Sequence, residues 1–160
     1  PSIKENLSNS ISQMNFFLNS DEIQFLQNKL LDIPDSNQCI HFDLHTSNIL
    51  IKNEEPLIID LGDFSLGSFY FDIGLIDMIY GFPELNTCEI VTSIPSYLGF
   101  ELRKYFMKDY FQNKSVDEYE FYQKNRYFLS SLRAIYTITF LPQMKFILAE
   151  KIKDYFLPKM

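Results

Sequence analysis

The sequence has no tryptophan, and only five glycines and two cysteines in 160 residues; each shortage removes a class of explanation. With so little glycine there is no glycine-rich loop of the kind whose backbone N–H groups close around a phosphate. Cys39 and Cys88 have neither a C-x-x-C spacing nor the density of a secreted scaffold. They read as two buried free thiols in a reducing compartment, which points to the cytoplasm. Cations are scarce as well: 14 Lys and Arg stand against 21 Asp and Glu, a net charge of -7. A nucleic-acid partner is therefore not expected, since displacing counterions from phosphates requires a basic surface. The acidic balance suits a neutral or cationic small molecule better. Long apolar runs are missing too. The most apolar stretch, 128–149, is interrupted by Arg133, Pro142 and Lys145, so neither a membrane span nor a signal peptide is expected.

What the chain does have is bulk. Hydrophobic residues make up 46%, with sixteen Phe and ten Tyr, ample for one compact domain over 1–160 packed largely from helices. Residues 3–17 place Ile3, Leu7, Ile11, Met14 and Phe17 at a spacing of three to four, an amphipathic helix. Asn19 with Glu22 forms a capping box that opens a second helix through about residue 31. After the break at Pro34 to Asn37, residues 38–42 read as a short strand. Two apolar runs, 48–52 and 57–60, are separated by Asn53, Glu54, Glu55 and Pro56 and read as a β-hairpin. Helical signals follow at about 71–80, 96–112, 116–140 and 143–157.

The strand 38–42 runs into His41-Phe42-Asp43-Leu44-His45-Thr46-Ser47-Asn48, which has the spacing H-x-D-x-x-x-x-N of a kinase catalytic loop. In that arrangement Asp43 accepts the hydroxyl proton of the phosphate acceptor, and Asn48 places its side-chain oxygen on magnesium. Magnesium takes hard oxygen ligands, commonly one or two carboxylates together with substrate phosphates. Asp60, at the end of the hairpin and in a D-x-G with Gly62, supplies the second. Antiparallel strands should bring Asn48 and Asp60 side by side.

With these motifs the sequence resembles the aminoglycoside phosphotransferase and choline kinase superfamily, in which the loop usually reads H-G-D-x-H-x-x-N and an I-D follows the hairpin. A further Asp opens a helix twelve residues on; here Ile59-Asp60 is followed at that interval by Asp72. The resemblance implies that Asp43 is the catalytic base and that Asn48 and Asp60 are the magnesium ligands. It also implies that Asp72 is a buried acceptor shaping the loop, with His41 as structural support. By the same resemblance His45 would reach the transferring phosphate, and Leu50 and Ile59 would lie beneath the adenine ring. Phe42 stands where the family usually has Gly, and Thr46-Ser47 replaces the common Pro-Gly.

The implied fold is mainly α with a small β-hairpin, an α+β architecture corresponding to the C-terminal lobe of the protein-kinase-like fold. No segment before Pro34 offers a nucleotide-binding sheet or its lysine, so that lobe is expected to be absent from this chain, which starts at Pro1 and reads as a piece of a longer protein. The expected activity is transfer of the terminal phosphate of ATP or GTP, with Mg2+, to a hydroxyl of a small molecule, with the isolated lobe inactive. The surface where the missing lobe would dock should be apolar, and a homodimer is one way of covering it. The alternative is a catalytically silent binding module that keeps the fold.

Competing patterns were weaker. His41, Asp43 and His45 alternate and on a strand would share a face suited to zinc, but this leaves Asn48 and the D-x-G unexplained. Phe82-Pro83-Glu84 imitates the kinase A-P-E motif, yet the helix expected from residue 71 leaves no activation loop. Tyr80, Tyr119 and Tyr122 read as core, and Asp63 as a surface turn residue.

Overall fold

The computed structural model describes residues 2–160. The chain is mostly helical, with two small antiparallel sheets, an α+β arrangement as expected. Its first helix, α1 (Ile3–Ser12), is opened by a capping box between Ser2 and Glu5 and buries Ile3, Leu7 and Ile11. The apolar periodicity continues to Phe17, but the α-helical turn does not: Gln13–Phe16 tightens to a 3-10 turn. Just before it, the hydroxyls of Ser10 and Ser12 donate to the carbonyls of Asn6 and Ser8, a competition with the backbone ladder that weakens and bends helices. Helix α2 (Ser20–Asp32) starts at the expected capping box, with Asn19 accepting from the N–H groups of Asp21 and Glu22.

Strand β1 (Gln38–Ile40) pairs antiparallel with β4 (Ser65–Gly67), a partner too short to be read from the sequence. It stops two residues earlier than expected because Phe42 has φ 58°, outside the extended region. The hairpin is β2 (Ile49–Lys52) with β3 (Glu55–Ile58), paired Ile49 with Ile58 through Lys52 with Glu55. Its loop is two residues, not four: Asn53 and Glu54 both have positive φ, 53° and 67°, the form a two-residue turn takes so as to match strand twist. Glu55 and Pro56 therefore belong to the strand. Pro56 faces Ile51 at a position that alternates out of the hydrogen-bond ladder, where its missing N–H is harmless. Ile59 and Asp60 lie beyond the strand end, and Asn48 sits in a 3-10 turn, Thr46–Asn48.

Helix α3 (Tyr70–Tyr80) is buried around most of its circumference through Phe71, Ile73, Leu75, Ile76 and Ile79, as befits the central helix of a core, and its two carboxylates, Asp72 and Asp77, are both hydrogen-bonded. It lies against α6 (Val116–Phe140) so closely that a side chain at Gly74 would strike the carbonyl of Leu129. Between them come α4 (Thr87–Thr92), not anticipated from the sequence, and α5 (Ser96–Phe111). The expected last helix begins with a 3-10 turn at Pro142–Met144, continues as α7 (Lys145–Glu150), and widens to a π-helical turn at Lys151–Phe156. Tyr80 and Tyr122 are core, as expected, but Tyr119 is 45% exposed. Cys88 is buried as expected, but Cys39 is exposed, because alternation along β1 turns it to the opposite face from buried Ile40. Leu50, Ile51, Leu57 and Ile58 leave the hairpin with an exposed apolar surface. No helix among the described residues is long and apolar enough to cross a membrane.

Candidate active site

The loop after β1 is held from below by the first turn of α3. Asp72 accepts the N–H of His41 at 3.1 Å and that of Phe42 at 2.6 Å, one on each carboxylate oxygen. Burial raises the Asp72 pKa above the ordinary carboxylate value, and the two N–H donors oppose the shift. These bonds fix the backbone where Phe42 adopts its positive φ. A left-handed conformation costs a bulky residue about 1–2 kcal/mol, which explains why glycine suits this position. The Phe42 ring offsets the strain by complete burial, edge-on to Phe71 and to Tyr136 at centroid distances of 6.2 and 5.1 Å.

His41 links the loop to the hairpin. Its Nδ1 accepts the Asp43 N–H at 3.3 Å, so in the neutral ring the proton sits on Nε2, which donates to the carbonyl of Ile59 at 2.9 Å. Both ring nitrogens are thus engaged within the fold, which removes the zinc arrangement. The N–H of Ile59 in turn donates to the carbonyl of Asn48 at 2.9 Å. The two ends of the hairpin therefore do lie side by side.

Asn48 is buried, and its amide Nδ2 donates to the Asp43 carbonyl at 2.8 Å and to Asp43 Oδ2 at 3.3 Å. That geometry leaves the Asn48 side-chain oxygen available. Asp60 is exposed, has φ 58° and, among the described residues, makes no side-chain hydrogen bond or ion pair. An amide oxygen and an uncommitted carboxylate at adjoining chain ends fit magnesium, whose remaining positions are ordinarily filled by phosphate and water. No cluster of three or more His, Cys, Asp or Glu side chains occurs among the described residues, so an all-protein metal cage is not what these groups form. Leu50 and Ile59 fall on one face of the hairpin by alternation, with Leu50 49% exposed.

His45 Nε2 stands 3.7 Å from Asp43 Oδ2 and 3.4 Å from the Asn48 amide, while its Nδ1 is buried without a hydrogen-bond partner. The contact from His45 lowers the Asp43 pKa most; burial opposes it, and the charge of Arg133 adds to the lowering. Arg133 is the residue that sequence reasoning missed. From α6 it donates to Asp43 Oδ1 at 2.9 Å and to Asp63 Oδ2 at 2.8 Å, with its guanidinium 5.2 Å from the centre of the Phe42 ring. The available signal was a cation inside the apolar run of α6, which needs a partner once its helix is buried. Asp63, read as a plain turn residue, is that second partner. Tyr80 also belongs to the support, its hydroxyl accepting the Thr46 N–H at 2.8 Å.

Beside Asp43 and His45 opens a cavity of about 380 Å³ between α3, α4, α6 and α7. It is large enough for a small molecule, and Asp43 contributes to its wall.

Residues 17–91, somewhat less than half of the chain, match the model of a phosphotransferase enzyme family. The matched segment contains the loop, the hairpin and α3, and stops before α5 and α6. No curated protein and no solved structure matches the chain.

Proposed function

We propose that this chain, whose residues 17–91 match the model of a phosphotransferase enzyme family, is the catalytic and acceptor-binding lobe of a kinase-like enzyme that phosphorylates a hydroxyl of a small molecule. The observation that carries the proposal is the joining of the Asp43 loop to the hairpin ends through His41, Ile59 and Asn48. Asp43 takes the acceptor proton as the acceptor oxygen bonds to the terminal phosphorus of ATP or GTP and the bond to the departing nucleoside diphosphate breaks. A depressed pKa keeps Asp43 ionised and ready to orient that hydroxyl. Asn48 and Asp60 would hold Mg2+, which offsets the phosphate charge when bound. His45, with its unpartnered Nδ1, would lie near the transferring group, and Leu50 and Ile59 beneath the base. Asp72, His41 and Tyr80 hold this geometry without touching substrate. The exposed hairpin suits the docking of a nucleotide-binding lobe, without which the chain would be inactive, or of a second copy.

The ion pair of Asp43 with Arg133 supports a second reading, a silent binding module in which the base is permanently engaged. The two separate in the full-length protein. Asp43→Ala should reduce magnesium-dependent turnover by a factor of 100 or more while leaving nucleotide affinity within threefold, and Asp60→Ala should weaken magnesium-nucleotide binding in titration calorimetry. Equal loss of turnover and nucleotide affinity in Asp43→Ala would remove the base assignment; the absence of any magnesium-dependent turnover would leave the binding module.

A further inference from the structure

The walls of the cavity beside Asp43 specify an acceptor. Ile79 and Met78 from α3, Ile90 and Val91 from α4, and Ile147 and Leu148 from α7 line it, and the apolar surface reaches from the buried wall out to the mouth, where Ile90 and Ile147 are exposed. Its charged groups are Asp43, Arg133 and Lys151, two cations against one carboxylate, and that carboxylate is already paired with Arg133. Lys151 Nζ donates to the carbonyl of Leu85 at 3.2 Å and is itself made less basic by burial. A polycationic acceptor entering here would lose water from its ammonium groups and meet no free carboxylate in return, an expensive burial. An apolar body would instead shed water from both surfaces at a gain of about 25 cal/mol per Å².

We infer that the acceptor is a hydroxyl carried on an apolar body: an aliphatic or aromatic alcohol whose oxygen lies at Asp43 and whose remainder lies among Ile79, Ile90 and Ile147. This rests on the phosphotransfer reading above and specifies its acceptor. It reverses the preference for a cation that overall charge suggests, because the -7 balance is spread over the surface and the cavity wall has the opposite sign. In the transfer the alcohol O–H proton passes to the Asp43 carboxylate, a new O–P bond forms, and the bond from the terminal phosphorus to the nucleoside diphosphate breaks. The products are an alkyl phosphate and that diphosphate.

The test uses 1-octanol and kanamycin as probes, titrated into the isotope-labelled chain and followed by amide resonances. Octanol should shift Ile79, Thr137 and Leu148, and Ile147→Lys, a change at an exposed position that leaves the core alone, should weaken that binding about tenfold. Kanamycin should leave these resonances in place. Kanamycin shifting them, or octanol leaving them still, overturns the inference. Flotation of the chain with phosphatidylcholine vesicles in the absence of octanol shifts would assign the apolar rim to a bilayer and also overturn it. In the full-length protein, octanol bound at these amides without magnesium- and ATP-dependent octyl phosphate would retire the transfer reading, and the acceptor role with it, leaving a site for apolar ligands. Kanamycin phosphate formed in place of octyl phosphate would retire the inference and keep the transfer reading.

Discussion

Arg133 Nη2 lies 2.9 Å from Asp43 Oδ1, joining the long helix α6 to the loop after β1 across 90 positions of sequence. The same guanidinium holds Asp63 through Nη1, so a single side chain fastens both flanks of the hairpin to the helical layer. Replacing it with methionine keeps much of the volume and removes the charge. The Asp43 pKa should then rise, by less than if His45 were removed, since His45 is the larger influence. Because the folded value is depressed, Asp43 contributes stability above its unfolded pKa of about 4, and this is lost as pH falls through the lower folded value. Arg133→Met should flatten that part of the acid dependence of the urea midpoint, and an unchanged carboxyl titration of Asp43 by NMR would contradict the assignment.

Phe42 offers a test of backbone strain. Phe42→Ala removes the buried ring and keeps the positive φ, and should cost about 3–5 kcal/mol. Phe42→Gly removes the same ring and also the strain, so it should be the more stable of the two by about 1 kcal/mol, although glycine ordinarily destabilises relative to alanine. Urea unfolding of both variants decides the order, and alanine ranking above glycine would show that the loop relaxes out of the left-handed region.

Asp72→Ala should leave the N–H groups of His41 and Phe42 without their acceptors. An orphaned buried donor costs about 1–3 kcal/mol, and the loss should appear both in the urea midpoint and as faster amide exchange at residues 41 and 42. Protection at those amides equal to the parent would mean that Asp72 does not shape the loop.

Asp77 is fully buried between α3, α5 and α6, accepting from Tyr122 at 2.6 Å, from Arg126 at 3.0 Å and from Arg103. Removing the one carboxylate strands two guanidinium groups. Asp77→Ala should therefore destabilise by about 3–5 kcal/mol, well beyond an ordinary side-chain truncation. Adding Arg126→Met to it should recover part of the loss, and simple additivity of the two changes in a double-mutant cycle would argue against the network.

The helices were legible where local chemistry marks their ends. The expected span 116–140 is the observed α6, whose start is capped by Ser115 and Glu118 and whose end is set by Pro142 two residues on. The Asp43 loop and the hairpin were legible because their spacing is short-range. Strand β4 was not, because three residues carry no periodicity and its pairing with β1 is a contact across more than twenty positions. The turn at Asn53 and Glu54 was misjudged because Pro56 looks like loop chemistry until the pairing places it off the ladder. Arg133 escaped for a different reason: in an apolar run a lone arginine reads as an interruption, and only the packing of α6 against the loop gives it partners. The cavity beside Asp43 is assembled from α3, α4, α6 and α7, so no local segment could announce it.

Ile59 is tied in two directions at once, its N–H to Asn48 and its carbonyl to His41. The hairpin consequently has no free pivot where it meets the loop. Its four-residue strands extend roughly 13 Å at about 3.3 Å per residue, and a force applied at the tip, Asn53 and Glu54, is delivered to its base as torque. The base does not yield to that torque, because Asp72 anchors His41 and Phe42 and Arg133 anchors Asp43 and Asp63. The hairpin is then a cantilever: load at its free end bends the strands and leaves the Asp43 loop where the helices hold it.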